Sequence, residues 1–189
     1  MPHPALPHLS DWSPVVFAER AFTAADCEAI LSHRGEVKDA AIQAGDGGAA
    51  YRKGRVSWLR PGPETDWIFA KTLEHVQRVN AQTYKMDLAG FTEPLQLAEY
   101  GAGEHYDWHL DLGQAGYSVR KLSFIVQLSD EADYEGGAVE VLAARTPQAM
   151  PKSRGAMIVF PAYVLHRVNP VTRGARRSLV GWIGGPPFR

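Results

Sequence analysis

From Leu95 onward the chain breaks into seven short runs that read as strands: Leu95–Tyr100, Glu104–Asp111, Lys121–Ser129, Ala138–Leu142, Ala156–Phe160, Val164–Val168 and Arg177–Ile183. Turns rich in glycine and proline separate them, as strand ends require. Strands this short bury an apolar face only by packing against another sheet or closing on themselves. The pattern therefore restricts this half of the chain to a β-sandwich or jelly roll.

The preceding half is patterned differently. Val15-Val16-Phe17 reads as a first short strand. Thr23-Ala24-Ala25-Asp26 then reads as an N-cap with an acidic first turn, predicting a helix to about His33, before Gly35. Between Glu64 and Tyr84 the positions Ile68, Phe69, Thr72, Leu73, Val76 and Val79 recur at helical spacing with charged residues between them. That stripe predicts a long amphipathic helix packed on a sheet face. Residues 36–43 and Arg55–Leu59 read as strands around the loop Gly45-Asp46-Gly47-Gly48. Tyr51, Arg52, Lys53 and Arg55 follow the loop, which is a candidate lid over a substrate and equally a solvated hairpin tip. The expected fold is α+β, mainly β: one domain over residues 1–189, with helices and supporting strands in 1–94 packed on one sheet face of a jelly-roll core in 95–185.

Composition mainly excludes. A chain of 189 residues buries about 70% of its unfolded surface and needs no disulfide to fold. Its single cysteine, Cys27, points to a reducing, cytoplasmic setting. A net charge of −1 with interspersed signs, and no strip of basic and aromatic residues, argue against nucleic-acid and membrane partners. No run of about 18 apolar residues is present to span a bilayer. Met1 to His8 lack the basic-then-apolar order of a signal peptide. Neither GxxxxGK[ST] nor HExxH occurs, so a P-loop and a zinc-peptidase helix are unsupported. His3, His8, His33 and His75 read as structural or idle.

The chemistry concentrates in Tyr100-Gly101-Ala102-Gly103-Glu104-His105-Tyr106-Asp107-Trp108-His109-Leu110-Asp111. Alternation along a strand puts His105, Asp107, His109 and Asp111 on one face, as two His-x-Asp pairs that spacing does not separate. A further imidazole, His166, lies in the apolar run Phe160–Val168, and Arg176 and Arg177 open the next run. Two imidazoles and one carboxylate on one face of an iron leave positions open for reactants, and an arginine fork suits a cosubstrate carboxylate. A zinc hydrolase uses similar ligands but leaves the arginine without a role.

The order Tyr100, Gly103, Tyr106, His109, Asp111, then Tyr134-Glu135-Gly136-Gly137, Phe160-Pro161, His166 and Gly174-Ala175-Arg176 resembles the iron(II)- and 2-oxoglutarate-dependent dioxygenases, in their prolyl 4-hydroxylase-like branch. The resemblance covers roughly residues 95 to 185 and falls on His109 and Asp111, leaving His105 over. It implies a double-stranded β-helix holding iron on His109, Asp111 and His166, with 2-oxoglutarate and dioxygen as cosubstrates and ascorbate as reductant. It implies Arg176 as partner of the distal carboxylate of 2-oxoglutarate, with Tyr100 as a further contact, and alternation puts the Ser178 hydroxyl on the face of Arg176. Gln127 stands where some relatives carry a cosubstrate-binding tyrosine, a departure within the cosubstrate lining. Arg177 is the rival arginine, while Arg167 and Arg173 are expected in solvent. The expected reaction is hydroxylation of an unactivated carbon, first of all a prolyl residue in a peptide or protein, with Tyr106, Trp182, Trp58 and Trp108 as candidate aromatic contacts. A free amino acid or small metabolite is the alternative substrate, and a non-catalytic jelly-roll metal-binding module the alternative class.

Overall fold

The computed structural model describes residues 13–40, 51–142 and 145–188, so His3, His8 and the candidate lid at Gly45–Gly48 lie outside the described residues. In chain order the elements are β1 (Val16–Ala18), α1 (Ala24–Ser32), β2 (Lys38–Asp39), β3 (Arg52–Lys53), β4 (Arg55–Leu59), α2 (Asp66–Val79) and β5 (Gly90–Phe91). There follow β6 (Leu95–Gly101), β7 (His105–His109), β8 (Arg120–Gln127), β9 (Tyr134–Gly136), β10 (Val139–Val141), β11 (Gln148–Ala149), β12 (Met157–Pro161), β13 (His166–Val168) and β14 (Val171–Gly184).

The helices form where local chemistry favours them. Thr23 and Asp26 make a reciprocal capping box, Asp26 N–H donating to Thr23 Oγ1 at 3.1 Å and Thr23 N–H to Asp26 Oδ2 at 2.7 Å. Helix α2 buries Ile68, Phe69, Thr72 and Val76. The sequence pattern extends this helix to Tyr84, but its regular part ends at Val79 and a π-helical turn, Asn80–Tyr84, follows. Lys85 closes that turn at φ +53°, while the Asn80 side chain bonds both main-chain groups of Met86. His75 sits half-buried, its Nε2 3.1 Å from the Ala21 carbonyl, and so ties α2 to the segment before α1.

All strand pairs are antiparallel and form two facing sheets. The larger runs β1-β12-β8-β14-β6-β4-β2, with β5 and β9 added along β14; the smaller runs β11-β10-β13-β7-β3. This is a double-stranded β-helix, and alternation along its strands sorts the cores. Leu95 and Leu97 of β6, Leu122, Phe124 and Val126 of β8, and Leu179 and Ile183 of β14 join Ile30, Ile68 and Phe69 in the layer under the helices. The intervening residues, Ala98 and Tyr100 of β6 and Ile125 of β8, meet Val139, Val164 and Val168 between the sheets. The same alternation turns Arg176, Ser178 and Trp182 toward the interior and Arg177 toward the opposite face.

Two strand boundaries differ from expectation for identifiable reasons. The last strand begins at Val171 rather than at Arg177, so Val171–Arg176 belong to the strand. Gly174 bends it at φ +74°, and a Cβ there would lie 2.0 Å from the Asp133 carbonyl oxygen. The run at 36–43 forms only Lys38–Asp39 among its described residues, a polar, exposed edge paired with β4.

Arg177 is held by Glu99, a buried carboxylate that also binds Arg55 and Arg34, at 2.7, 2.8 and 3.1 Å respectively. Burial raises the Glu99 pKa, but the three guanidinium groups outweigh it and hold the carboxyl below its usual value. Because the folded value lies below the unfolded one, this stabilisation is complete above the unfolded pKa and disappears as pH falls through the folded one. Melting temperatures of wild type and Glu99→Gln should therefore differ most at neutral pH and converge below about pH 4. A constant gap across that range would contradict the assignment.

Candidate metal centre and cavity

Three of the side chains singled out in the sequence meet between the sheets. His109 ends β7, Asp111 lies two residues past that end, and His166 starts β13, which pairs with β7 so that His166 sits opposite His109. The chain leaves β7 stitched to the turn after β12, because the N–H groups of Asp111 and Leu112 both donate to the Ala162 carbonyl, at 3.1 and 2.9 Å. Asp111 Oδ1 is thereby 3.9 Å from His109 Nε2, and Oδ2 is 3.5 Å from His166 Nε2. Among the described residues this is the one group of ligand-type side chains whose donor atoms, all within 4.8 Å of one another, could surround a metal ion.

Simple alternation put both His-x-Asp pairs on this face, and the structure corrects that. The β7–β13 register slips by one residue, pairing Val168 with Tyr106 but His166 with His109, so a bulge at Asp107–Trp108 reverses the faces. Tyr106 rather than Asp107 shares the His109 side, its ring stacked on the imidazole with centroids 3.5 Å apart and planes at 11°. Asp107 is exposed and accepts from the Trp108 N–H at 2.7 Å. Neither His105 nor Asp107 lines the cavity.

The imidazoles are prepared as ligands. Nδ1 of His109 lies 2.7 Å from the Asp107 carbonyl and Nδ1 of His166 lies 3.0 Å from that of Val164. A carbonyl only accepts, so each Nδ1 carries a proton and Nε2 is the ring atom left to face Asp111. Burial, then the neighbouring His166, push the His109 pKa down to about 3, so this ring is neutral at physiological pH. Burial raises the Asp111 pKa, yet His166 and His109 outweigh it and keep the carboxyl below its ordinary value. Two imidazole nitrogens and one carboxylate oxygen suit a divalent iron-type ion with open positions.

These residues line a cavity of about 630 Å³, with Tyr100, Arg176 and Ser178 on one part of its wall and Trp58, Leu110, Tyr117 and Trp182 on another. Arg176 is 1% exposed and donates from Nη2 to Gln127 Oε1 at 2.8 Å. Gln127 does not line the cavity: its Nε2 donates to the Pro151 carbonyl at 2.9 Å, so both ends of the amide are engaged in holding Arg176. Ser178 Oγ is buried without a hydrogen-bond partner. A buried guanidinium with no facing carboxylate among the described residues, beside an orphaned hydroxyl, is costly unless an anion arrives. Of the other arginines, Arg177 belongs to Glu99, Arg173 bridges Glu135, and Arg167 is paired with Glu140 and stacked over Trp108 rather than free in solvent.

Arg120 was not singled out from sequence, where it reads merely as the residue before an apolar run. It is 7% exposed and lies between the rings of Trp182 and Tyr117, at 3.8 and 4.3 Å. Its Nε donates to Glu93 at 2.9 Å and its Nη1 to the Asp111 carbonyl at 3.1 Å, which braces the chain beside the carboxylate. Arg52, also on the wall, covers the Tyr106 ring at 4.5 Å and donates to Gln96.

Comparison with known proteins agrees with this geometry. The sequence profile of the 2OG-Fe(II) oxygenase superfamily matches residues 95–184. A PKHD-type hydroxylase of Idiomarina loihiensis is 34% identical over 46% of this chain and 40% of its own length. One of Synechococcus sp. strain CC9605 is 29% identical over 77% of this chain and 65% of its own length. The matched part of the chain thus spans less than two thirds of either relative. In fold, a prolyl-4-hydroxylase of Pseudomonas putida superimposes with TM-score 0.72 at 21% identity, covering 92% of this chain and 94% of that one. A Trichoplax adhaerens prolyl hydroxylase, solved with a hypoxia inducible factor oxygen degradation domain peptide fragment, gives 0.76 at 13% identity, covering 92% and 84%.

The register slip separates the two His-x-Asp pairs experimentally. Titration with Mn(II) or Co(II) should show Asp111→Ala weakening metal binding at least about tenfold, with Asp107→Ala binding as wild type. Equal losses in the two variants would contradict the bulge assignment.

Proposed function

We propose that this chain, whose residues 95–184 match the 2OG-Fe(II) oxygenase superfamily, is a member of that superfamily and a hydroxylase of unactivated carbon acting on prolyl residues of a peptide or protein. The observation that carries the reading is the convergence of His109, Asp111 and His166 in the same cavity as the buried Arg176 and its orphaned neighbour Ser178. The three former residues would hold Fe(II), and the latter two the distal carboxylate of 2-oxoglutarate. An iron so bound supplies the oxidising chemistry, in which 2-oxoglutarate and dioxygen become succinate and carbon dioxide and one oxygen atom enters a substrate C–H bond.

The chain's own contribution is binding and orientation. The Nδ1 bonds to Asp107 and Val164 fix both imidazole planes and leave Nε2 of each ring facing Asp111. Arg176 fixes the far end of the keto-acid, so that its other end meets the metal in one orientation. Trp58, Trp182 and Tyr117 form an aromatic mouth with Leu110, and Trp58, Leu110 and Tyr117 are 43%, 49% and 52% exposed. Exposed apolar surface gathered at a cavity mouth suits an extended peptide carrying proline. Tyr106 is occupied between Arg52 and His109, so it supports the metal ligand from the side. Ascorbate serves as reductant, the described residues before Leu95 brace the catalytic part within one domain, and the setting is cytoplasmic. No helix among the described residues is long and apolar enough to cross a membrane.

Purified protein with Fe(II), ascorbate and 2-oxoglutarate should release succinate slowly alone and faster with Pro-rich peptides, which should gain one oxygen by mass. No succinate under any condition would remove the oxygenase reading, and stimulation by free amino acids alone would replace the substrate. Arg176→Ala should raise the KM for 2-oxoglutarate at least about tenfold, the scale of a lost charged hydrogen bond, with metal affinity retained. An unchanged KM would show that another group binds the cosubstrate.

A further inference from the structure

We propose that Tyr134 is a positioning residue of the cosubstrate pocket: its hydroxyl, opposite the Gln127 amide, fixes the direction in which the Arg176 guanidinium points. The inference rests on the reading of Arg176 as the 2-oxoglutarate anchor. Tyr134 is 2% exposed and begins β9, which pairs with β14 at Gly174, two residues before Arg176. Its hydroxyl has no hydrogen-bond partner, and neither has Nε of Arg176. A core that leaves two buried polar atoms unpaired gains most if they serve each other, and these two are neighbours. A Cβ placed on Gly137 would lie 3.2 Å from Tyr134 Cε2 and 3.3 Å from Arg176 Cδ, so the absent side chain at 137 is what lets ring and arginine stem lie side by side. Burial raises the Tyr134 pKa, and Arg176 is the charge that opposes this most.

The surroundings leave Tyr134 little other purpose. Its ring is covered by the Lys152 ammonium at 4.3 Å, which fixes the ring face without reaching for the hydroxyl as a structural bond would. Phenylalanine would fill the same apolar space among Val139, Val171 and Val168 without burying an orphaned oxygen. On the other side Gln127 is pinned at both ends, so it fixes only the Nη2 corner of the guanidinium. A planar fork held at one corner still pivots; a second contact at Nε stops the pivot and aims the remaining N–H groups into the cavity.

The test is 2-oxoglutarate binding to anaerobic, Mn(II)-loaded wild type and Tyr134→Phe by calorimetry, with 2-oxopentanoate as control because it has the same keto-acid end and no distal carboxylate. Tyr134→Phe should bind 2-oxoglutarate several-fold to about tenfold more weakly, with Mn(II) and 2-oxopentanoate affinities and melting temperature unchanged. Gln127→Ala should give a similar loss, and the double variant less than the product of the two, because both act through one arginine. Equal 2-oxoglutarate affinity in Tyr134→Phe, or parallel losses for 2-oxopentanoate and Mn(II), would overturn the inference while leaving the oxygenase reading intact. A wild type that binds Mn(II) but no 2-oxoglutarate would overturn both.

Discussion

A carboxylate buried between two imidazoles is the constraint from which the rest of this molecule follows. Asp111 is nearly closed from solvent, its side chain 9% exposed, and the Nδ1 protons of both imidazoles are already committed to carbonyls. What faces Asp111 is Nε2 of each imidazole, and a carboxylate buried there is costly unless a cation lies among them. The fold accepts that cost because each participant is tied to rigid backbone: His109 and His166 by cross-strand pairing, Asp111 by two hydrogen bonds to Ala162. Ser123 and Trp182 also help hold Asp111 ionised, although neither reaches hydrogen-bond geometry. Arg120, wedged between two rings, braces the same stretch from behind.

Division of labour between the two faces of the larger sheet makes such a site tolerable. One face carries helices and an apolar layer. The other turns polar side chains inward at Gln127, Arg176 and Ser178, where an ordinary core would have aliphatic ones. Arg176 and Arg177 show how sharply a strand sorts identical chemistry. The first is sealed beside orphaned hydroxyls, and the second reaches the Glu99 cluster on the far side. Replacing either by the other's environment would need only a one-residue slip, which the long pairing of β14 with β6 and β8 forbids.

What was legible in the sequence was whatever depends on local pattern. The helix cap at Thr23, the apolar stripe of α2 and the short strands all follow from spacing and alternation, which the structure keeps, while Arg176 is preferred to Arg177 through the family resemblance together with alternation. What was hidden depends on contacts between distant segments. A bulge in β7 reverses side-chain faces between Tyr106 and His109, and nothing in those residues announces it, because register is set by the partner strand. Arg120 could not be picked out because its role comes from Glu93, Tyr117 and Trp182, which sequence does not place together. Gln127 looked like a cosubstrate contact because position on the strand says nothing about Pro151 occupying its other end.

The central claim is that one ion joins His109, Asp111 and His166 while a keto-acid spans from it to Arg176. Anomalous X-ray scattering from crystals grown anaerobically with Fe(II) and 2-oxoglutarate tests this most directly. The account predicts a single iron peak bounded by Nε2 of both histidines and an Asp111 oxygen, with density for the keto-acid ending at the guanidinium. Iron elsewhere, or a keto-acid whose free carboxylate points away from Arg176, would contradict it.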